Sequence, residues 1–440
     1  MTKKRKSLPP DPVEAEIESL THDGRGLTHV DGKAVFVHGG LPGERVAFRY
    51  TRVQRRYDEG VVCEVLRASP DRVVPRCPQF GVCGGCALQH MDPAAQIASK
   101  QGILADVLRR IGKIEPARWL EPLAAEPWGY RRKARLGVRW VAKKGRVLVG
   151  FRERGSAFVA DLERCDVLHP SVGERLPDLA RLIDGLSIRE RLPQIEVAQG
   201  DGPVVLVLRV LDPPSALDLA RLEAFAAETG FHLYLQEGGV DSVRPMPGQG
   251  IDLHYSLPRH RVRIDFEPSD FTQVNLELNR LMLDQALALL DPQPDEDVLD
   301  LFCGLGNFTL PIARHVRRVL GIEGDAGLVE RARLNAERNG ITNVRFHSAD
   351  LYGDLETAPW RRERFDKVLI DPPRTGAWEV LDLIAGSGAR RLVYVSCYAS
   401  TLARDAERLV EAHGYRLVAA GAMDMFPQTA HLESMALFER

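Results

Sequence analysis

The chain has 440 residues, of which 44% are hydrophobic and 27% are charged, and its formal net charge is −2. This composition is typical of a globular protein and excludes a disordered, collagen-like or mucin-like chain. The charge sum excludes a protein coated with positive charge, and the length predicts roughly three domains at about 150 residues each. No apolar run approaches the roughly 18 residues of a membrane helix, and the N-terminus lacks the apolar stretch of a secretory signal.

The seven cysteines are an odd number, and they are not spread along the chain as a disulfide framework would be. Reduced thiols indicate a cytoplasmic protein. A basic run at residues 3–6 is interpreted as a disordered tail rather than as a nuclear signal.

Residues 12–68 form the first predicted domain. Four strand-like runs, at 14–20, 33–38, 44–52 and 60–66, are separated by turns rich in glycine. Short strands of this kind predict a small five-stranded barrel, an architecture that binds single-stranded nucleic acid.

Residues 69–268 form a predicted central α+β domain. The segment 77–91 is dense in cysteine and glycine and has no helical or strand period, whereas 93–111 has apolar residues at helical spacing. From about 125 to 268 strands dominate, with one clear helix at 216–229.

A basic segment lies inside this central domain. Residues 129–154 contain ten lysines or arginines and one acid, interleaved with three aromatic residues, and Trp128 directly precedes them. Such a mixture suits phosphates and stacked bases. A solvated pair of strands with a charged outer face explains it equally well.

Residues 269–440 show the rhythm of a doubly wound parallel α/β sheet. The predicted strands and helices alternate along this segment: strands 297–302, 318–323, 344–349, 367–370 and 392–396, and helices 325–338, 377–385 and 400–413. Two further strands, at 415–420 and 432–438, predict an antiparallel hairpin at the sheet edge.

The first strand of this sheet ends in a glycine-containing turn. Gly304 and Gly306 permit close approach of a ligand to the backbone, and Glu323 ends the next strand, where an acid accepts hydrogen bonds from ribose hydroxyls. No third glycine and no lysine of a phosphate-binding loop follows. The pattern therefore favours a nucleoside without phosphates, and S-adenosylmethionine is the obvious candidate.

Two more motifs follow strands of the same sheet. Asp371-Pro372-Pro373-Arg374 ends the fourth strand and Ser396-Cys397 ends the fifth. Ligands bind beyond the carboxyl ends of such strands. Cys397 is therefore a candidate nucleophile, although an isolated cysteine is more often part of the packing.

Three cysteines lie within ten residues, at Cys77, Cys83 and Cys86. They predict a metal site or an iron–sulfur cluster. Cys165 is the best candidate for a fourth ligand, and Cys63, in a barrel strand, is its rival. One run of three cysteines and one distant cysteine favours [4Fe–4S] over zinc, which usually binds two paired knuckles.

Together these motifs identify a resemblance. The chain resembles the bacterial ribosomal RNA uracil-5-methyltransferases, in the subgroup with an N-terminal TRAM barrel and a [4Fe–4S] cluster, from about residue 12 to the C-terminus. The resemblance rests on six motifs in one order: 77–86, 271–275, 300–307, 371–374, 395–397 and 431–433. None of these positions departs from the family pattern.

The resemblance implies a set of functional residues. S-adenosylmethionine would be bound by six of them: Gln273, Phe302, Asn307, Glu323, Asp350 and Asp371. Cys397 would be the nucleophile and Glu433 the base, and Asp371 would hold the uracil ring or favour its enol form. The cluster ligands would be Cys77, Cys83, Cys86 and Cys165. The expected partner is 23S ribosomal RNA or its precursor. The protein is expected to be a monomer that does not bind a membrane.

Other functions are weighed against this one. The cysteine spacing differs from that of radical methylthiotransferases, and Asp371 and Arg374 differ from the Asn-Pro-Pro-aromatic motif of amino-methyltransferases. A non-enzymatic RNA-binding protein would need neither Cys397 nor Glu433. Within the family, transfer RNA enzymes typically lack the cluster, and one ribosomal subgroup lacks the TRAM barrel. A barrel together with a cluster therefore favours 23S RNA. Another ribosomal site or transfer RNA remains the alternative substrate.

Overall fold

This computed structural model describes residues 8–353, 355–356 and 358–440. The N-terminal part forms a mixed sheet of six strands. The basic run at residues 3–6 lies outside the described residues. The strand order is β1-β5-β6-β4-β3-β2, with bounds β1 (Val13–Glu16), β2 (Ser19–Leu20), β3 (Gly26–Val30), β4 (Lys33–His38), β5 (Arg45–Val53) and β6 (Asp58–Arg67).

The predicted barrel strand at 14–20 is divided into β1 and β2, which gives six strands where five were expected. The division falls at Ile17, whose N–H donates to the Glu44 carbonyl at 2.8 Å and whose side chain is buried in the barrel core. Gly60 permits the core to close, because a Cβ there would lie 2.5 Å from the Phe48 ring.

The cysteine-rich segment is irregular and leads into helix α1 (Pro93–Val107). Asp92 caps this helix by accepting from the Ala94 N–H at 2.9 Å, and Pro93 occupies its first turn. A π-helical turn, Leu108–Gly112, and a two-residue strand, β7 (Arg118–Trp119), follow. The helix predicted at 93–111 is thus confirmed.

The central part contains a second six-stranded sheet, in the order β13-β12-β11-β10-β8-β9, and a separate hairpin, β14-β15. Its elements are β8 (Lys133–Val141), β9 (Arg146–Gly150), α2 (Pro170–Gly173), α3 (Leu176–Asp184), β10 (Gln194–Gln199), β11 (Val204–Arg209), α4 (Ala216–Thr229), β12 (His232–Gln236), β13 (Val243–Pro245), β14 (Leu253–Leu257) and β15 (Val262–Phe266). The predicted helix at 216–229 is confirmed: Ser215 and Asp218 form a capping box, and Gly230 ends the helix in the left-handed conformation. Helix α3 was not predicted.

The C-terminal part is an eight-stranded sheet in the order β18-β17-β16-β19-β20-β22-β21-β7. Its further elements are α5 (Leu276–Leu290), β16 (Asp297–Leu301), α6 (Thr309–Ala313), β17 (Arg318–Glu323), α7 (Ala326–Arg338), β18 (Val344–Ser348), β19 (Lys367–Ile370), α8 (Leu381–Gly386), β20 (Arg391–Ser396), α9 (Ala399–Glu411), β21 (Arg416–Met423) and β22 (Glu433–Glu439). Strands β16 to β20 are parallel, so the predicted doubly wound α/β fold is confirmed.

Helices cover both faces of this sheet. Side chains of α5, α6 and α7 pack on one face, and those of α1, α8 and α9 pack on the other. The last two strands form the predicted antiparallel hairpin, but β7 pairs in parallel with β21 and takes the outermost position. The sheet edge is therefore supplied by residues some 300 positions upstream.

We propose the domain division 12–68, 69–268 and 269–440, with one departure: a helix and a strand from the second segment pack on the third. Helix α1 and strand β7 lie within 69–268 in sequence, yet they pack on the C-terminal sheet. In the described residues, no helix has the length and apolar character needed to span a bilayer.

Candidate active site

The carboxyl ends of the parallel strands open into one cavity of about 500 Å³, which we call the sheet-edge cavity. It is lined by every residue predicted to bind S-adenosylmethionine or to act in catalysis: Gln273, Phe302, Asn307, Glu323, Asp350, Asp371, Cys397 and Glu433. The parallel sheet explains this convergence, because successive strands end at the same edge.

The turn after β16 is built around Glu323. One carboxylate oxygen accepts from the Gly304 N–H at 3.0 Å, and the other accepts from the N–H groups of Gly324 at 2.7 Å and Asp325 at 3.1 Å. Phe302 adopts a positive φ of 65° at the start of this turn, a conformation that L residues rarely adopt. The carboxylate is thus fixed by the backbone, with capacity left for a ribose hydroxyl.

Asn307 is oriented by two residues that the sequence did not single out. Its Oδ1 accepts from the Tyr255 hydroxyl at 2.8 Å and from Asn279 Nδ2 at 3.1 Å, and its Nδ2 donates to Asn279 Oδ1 at 3.0 Å. The second N–H of Asn307 is left to serve a ligand as a donor. Tyr255 comes from the β14-β15 hairpin, for which the sequence carried no functional signal, whereas Asn279 lies one helical turn beyond the 271–275 motif.

Asp300 lies near the end of strand β16 and does not line the sheet-edge cavity. It accepts from the Thr309 hydroxyl at 2.5 Å, and its other oxygen, which is buried, has no hydrogen-bond partner in the described part of the chain. Burial raises the pKa of Asp300 to about 8. The carboxyl is therefore protonated at neutral pH and braces the glycine turn.

Two carboxyl groups with raised pKa lie beside Cys397. Burial raises the pKa of Asp371 to about 7, and burial with repulsion from Asp371 raises the pKa of Glu433 to about 8. Burial, followed by the charges of Glu433 and Asp371, raises the pKa of Cys397 to about 11, while Arg374 opposes that rise. Cys397 is therefore a thiol in the free protein, surrounded by groups that exchange protons near neutral pH.

Cys303 also lines the sheet-edge cavity, yet it is poorly suited to be a nucleophile. It is buried, and burial together with the charges of Asp300 and Glu323 raises its pKa well above the usual value. A thiolate there would be strongly disfavoured.

A second cavity, of about 610 Å³, meets the first at Cys397 and Arg374, which line both. We call it the junction cavity because its walls come from all three parts of the chain: His22 and Asp23 of the barrel, 84–87 of the cysteine loop, Arg131 and Phe151 of the central part, and Tyr398, Phe426 and His431 of the C-terminal part. Cys397 is thus accessible from two cavities.

His431 contributes a neutral ring to the junction cavity. Burial, and next the charge of Arg374, lowers the pKa of His431. Arg374 Nη2 donates to His431 Nδ1 at 3.0 Å, which fixes the proton of the neutral ring on Nε2. Of the residues in the 431–433 motif, the sequence pointed only to Glu433 as functional.

A larger cavity, of about 880 Å³, lies at the opposite edge of the sheet. Its charged groups are engaged in ion pairs such as Arg317–Asp297, at 2.9 Å, and Lys367–Glu296, at 2.8 Å. The predicted site residues all lie at the other edge, so this cavity is unrelated to the predicted chemistry.

Four cysteines converge on a small cavity of about 20 Å³. They are the four predicted ligands: Cys77, Cys83, Cys86 and Cys165. The rival, Cys63, is exposed on β6, where its thiol donates to the Ala47 carbonyl at 3.2 Å. The structure thus places Cys165, and not Cys63, beside the other three.

The electrostatics of this cysteine cage fit a bound cation or cluster. Burial raises the pKa of Cys86 to about 12 and that of Cys165 to about 11, and the neighbouring cysteines add to both shifts. Thiolates crowded in an apolar site need positive charge to be stable, and a metal supplies it. Among the described residues, no group of three or more His, Cys, Asp or Glu is arranged so that it could hold a metal ion. The four thiols that line this cavity are a donor set that fits a bound cluster.

The basic segment at 129–154 is only partly free to meet a ligand. Arg132 donates to the Gly200 carbonyl at 2.7 Å, and Lys133 donates to the Pro268 carbonyl at 3.2 Å. Burial lowers the pKa of Lys133 to about 8. These two cations therefore belong to the packing.

Other cations of the segment form exposed ion pairs. Arg135 pairs with Glu196, and Lys144 and Arg146 pair with Asp161. The solvated-face interpretation fits these residues. By contrast, Arg131 lines the junction cavity, and the side chains of Arg139, Lys143, Arg152 and Arg154 are exposed.

Comparison with known proteins gives consistent matches. The profile of the family described as tRNA (Uracil-5-)-methyltransferase matches residues 253–440, and the TRAM domain profile matches residues 11–63. A protein of Alkalilimnicola ehrlichii is 55% identical over 100% of this chain and 99% of its own length, and one of Methylococcus capsulatus is 56% identical over 99% of each. Both are named 23S rRNA (uracil(1939)-C(5))-methyltransferase RlmD.

A solved structure shares the fold over nearly the whole chain. It is the Pyrococcus abyssi tRNA (uracil-54, C5)-methyltransferase in complex with S-adenosyl-L-homocysteine, with a TM-score of 0.74 and 24% identity, covering 97% of this chain and 99% of that chain. At this identity the likeness concerns the fold alone.

Proposed function

We propose that this chain, which belongs to the family of RNA uracil-5-methyltransferases, methylates carbon 5 of a uridine in 23S ribosomal RNA. The relatives named for uracil 1939 support 23S RNA as the substrate, and the TRAM match supports RNA binding. The observation that carries the proposal is the position of Cys397 where the two cavities meet. Such an enzyme would work in the cytoplasm, where ribosomes are assembled.

The sheet-edge cavity would hold S-adenosylmethionine, which supplies the methyl group as an electrophile. Glu323 would accept from the ribose hydroxyls through its remaining lone pairs, and Asn307 would donate its free N–H to the ligand. Gln273, Phe302, Asp350 and Asp371 line the same walls. These assignments follow the family pattern, and the geometry of the cavity supports them.

The junction cavity would receive the uracil. A base inside a helix cannot reach Cys397, so the nucleotide must be flipped out of its stack to enter. Phe151, Tyr398, Phe426 and His431 offer flat surfaces for a base in this cavity, and Arg131 offers a positive charge for the backbone.

Covalent catalysis makes carbon 5 reactive. The Cys397 thiol gives its proton to a neighbouring carboxylate, and the sulfur forms a bond with carbon 6, so that the electrons of the double bond move to carbon 5 and O4. Asp371, with a pKa of about 7, is suited to donate a hydrogen bond to O4. Carbon 5 would then bond to the methyl group of S-adenosylmethionine as the bond between that methyl group and the sulfonium sulfur breaks, with S-adenosylhomocysteine as the leaving group.

Release requires a base. Glu433 takes the proton from carbon 5, the electron pair of that bond restores the double bond to carbon 6, and the bond between carbon 6 and sulfur breaks. The balance is one methyl group gained and one proton lost at carbon 5. With a pKa of about 8, Glu433 both accepts this proton and returns it to solvent near neutral pH.

We further propose that Cys77, Cys83, Cys86 and Cys165 hold a [4Fe–4S] cluster with a structural role. The four thiols leave no position open for substrate, and the cage shares Gly85 and Cys86 with the wall of the junction cavity. Protein purified without oxygen should be brown and contain iron and sulfide. Stoichiometric zinc without iron would overturn the assignment.

The substrate is tested by methylation of separated RNAs. Purified enzyme and labelled methyl donor are incubated with unmodified 23S RNA, 16S RNA and transfer RNA, and the labelled nucleotide is mapped by mass spectrometry. We expect 5-methyluridine at one position of 23S RNA. Label confined to transfer RNA would favour the alternative substrate, and label on cytidine would exclude uridine as the target base.

A further inference from the structure

Lys100 is a buried lysine that the proposed mechanism does not use. Its Nζ donates to Asp424 Oδ1 at 2.6 Å and to the Phe426 carbonyl at 3.2 Å. The two charged side chains are only 2% and 5% exposed. A buried ion pair is a weak source of stability, because desolvation opposes the attraction, so a functional role is the better explanation.

This ion pair lies at the end of the strand ladder that carries Glu433. Asp424 directly follows Met423, the partner of Glu433 in the pairing of β21 with β22. Helix α1 holds the connecting loop at a second point, where Gln96 accepts from the Gln428 N–H at 2.9 Å and donates to its side-chain oxygen at 3.0 Å. The helix therefore acts as a strut for the loop that precedes Glu433.

We propose that Lys100 is a positioning residue for Glu433: it fixes the loop before β22 and places a buried positive charge that favours the ionised form of the Glu433 carboxyl group. This inference rests on the proposed function, since it needs Glu433 to accept the proton from carbon 5. Lys100 itself acts through Glu433 and through Asp424, and not on the uracil.

The charges around Glu433 oppose one another. Burial is the largest cause that raises its pKa, Asp371 adds to the rise, and Lys100 lowers it. Conversely, burial lowers the pKa of Lys100, whereas Asp424 and Glu433 raise it. The titratable or charged groups near Glu433 are Asp371, Cys397, Arg374, Lys100, Asp424 and His431. Without Lys100, burial and the charge of Asp371 would still raise the pKa of Glu433, and the positive charge that opposes this rise would be lost.

The test follows the covalent adduct between protein and RNA in a single turnover, across about pH 6 to 9. Lys100→Met removes the charge, and Lys100→Met with Asp424→Asn also removes the carboxylate that the single variant would leave buried and unpaired. Lys100→Arg keeps the charge and serves as the matched control. Formation and decay of the adduct are measured separately by rapid quenching and denaturing gels.

We expect both Met variants to release the adduct more slowly at neutral pH and to shift the release profile to higher pH. Each unit of upward pKa shift lowers the ionised fraction on the acid side, and hence the release rate, about tenfold. Adduct formation should change much less, and Lys100→Arg should retain the wild-type profile. A purely structural lysine would alter yield and thermal stability without moving this profile.

A folded variant that lacks the Lys100 charge and keeps the wild-type release profile would overturn the inference. The Asp424→Asn variant provides an additional test. Lys100 without its partner should lose its proton and its charge, so the pH profile of adduct release should also shift to higher pH. Failure of the proposed function looks different: wild-type enzyme would then form no Cys397-dependent adduct, even with RNA that contains 5-fluorouridine.

Discussion

The two cavities that meet at Cys397 are built in opposite ways. The sheet-edge cavity is made almost entirely by residues that follow the strands of one parallel sheet, so a single fold element assembles it. The junction cavity takes its walls from the barrel, the cysteine loop, the central part and the C-terminal part. The first can be complete whenever the sheet is folded, whereas the second depends on the docking of separate parts.

The largest effect expected to test this comparison is that of Cys397→Ala. Turnover should fall by a factor on the order of 10⁴ or more, because covalent activation of carbon 5 is lost. Binding of S-adenosylmethionine should stay within about twofold, because the sheet-edge cavity is formed by other residues. Calorimetry of cofactor binding and a methylation assay measure the two effects.

A matched cysteine variant provides the control. Cys303→Ala alters a buried thiol of the same cavity, and we expect it to keep a trapped adduct with 5-fluorouridine RNA, in which fluorine cannot leave as a cation. Cys397→Ala should form no adduct. An adduct that persisted in Cys397→Ala and vanished in Cys303→Ala would exchange the roles of the two cysteines.

The next largest effect concerns the proton at carbon 5. Glu433→Gln should slow release by about 10²- to 10⁴-fold, because general-base catalysis is lost after the methyl group has been transferred. The variant should accumulate a methylated adduct that survives denaturant. In the wild type, release should accelerate as pH rises through about 8, because Glu433 accepts a proton only when ionised, and the variant should lack this acid limb. Rapid release by Glu433→Gln would contradict the assignment.

The contrast also explains what the sequence could predict. The strand-end motifs sufficed for the sheet-edge cavity, because the register of a parallel sheet brings Glu323, Asp371 and Cys397 to one edge whatever the loops do. The family resemblance and the doubly wound fold are confirmed. Tyr255 and Lys100 were missed, because their roles arise only when distant parts of the chain pack together.

The basic segment shows the same limit. Local charge density predicted either a phosphate-binding surface or a solvated face for 129–154, yet packing divides the segment among several roles. Arg132 and Lys133 satisfy buried carbonyl groups, and Arg135 pairs with Glu196. Composition counts charges, but only the fold determines which of them remain available.

A moderate effect on cofactor binding is expected from a change at Tyr255, a residue of the central part that lines the sheet-edge cavity. Tyr255→Phe removes the hydroxyl that donates to Asn307 Oδ1 at 2.8 Å and keeps the buried ring. Loss of one such hydrogen bond, about 1 kcal/mol, should raise the KM for S-adenosylmethionine about fivefold with little change in RNA affinity. The matched control is Tyr234→Phe. The Tyr234 hydroxyl accepts from the Ile251 N–H at 3.2 Å, and its removal should leave the KM for S-adenosylmethionine unchanged.

Equal effects of Tyr255→Phe on cofactor and RNA would show that the two cavities are not independent. An unchanged KM for the cofactor would show that Asn279 alone suffices to orient Asn307.

The smallest expected effect concerns long-range attraction of RNA by the exposed arginines near the cysteine loop. Arg152 and Arg154 are exposed, and their backbones are pinned to that loop: the Gly84 N–H donates to the Arg152 carbonyl at 2.9 Å, and the Arg154 N–H donates to the Val82 carbonyl at 2.8 Å. Each phosphate contact on single-stranded RNA contributes about 0.7 to the slope of log affinity against log salt. Arg152→Gln with Arg154→Gln should therefore lower the slope by up to about 1.4.

The control takes two arginines from the same basic segment that already have carboxylate partners. Arg135→Gln with Arg146→Gln removes the same formal charge, but these side chains are paired with Glu196 and Asp161. We therefore expect the salt slope to stay near that of the wild type. If the control lowered the slope as much as the test pair, net charge rather than direct contact would govern RNA binding. The arginines beside the cysteine loop would then not be a specific contact site for RNA. If only the test pair lowered it, the RNA would be held along the same docked surfaces that form the junction cavity.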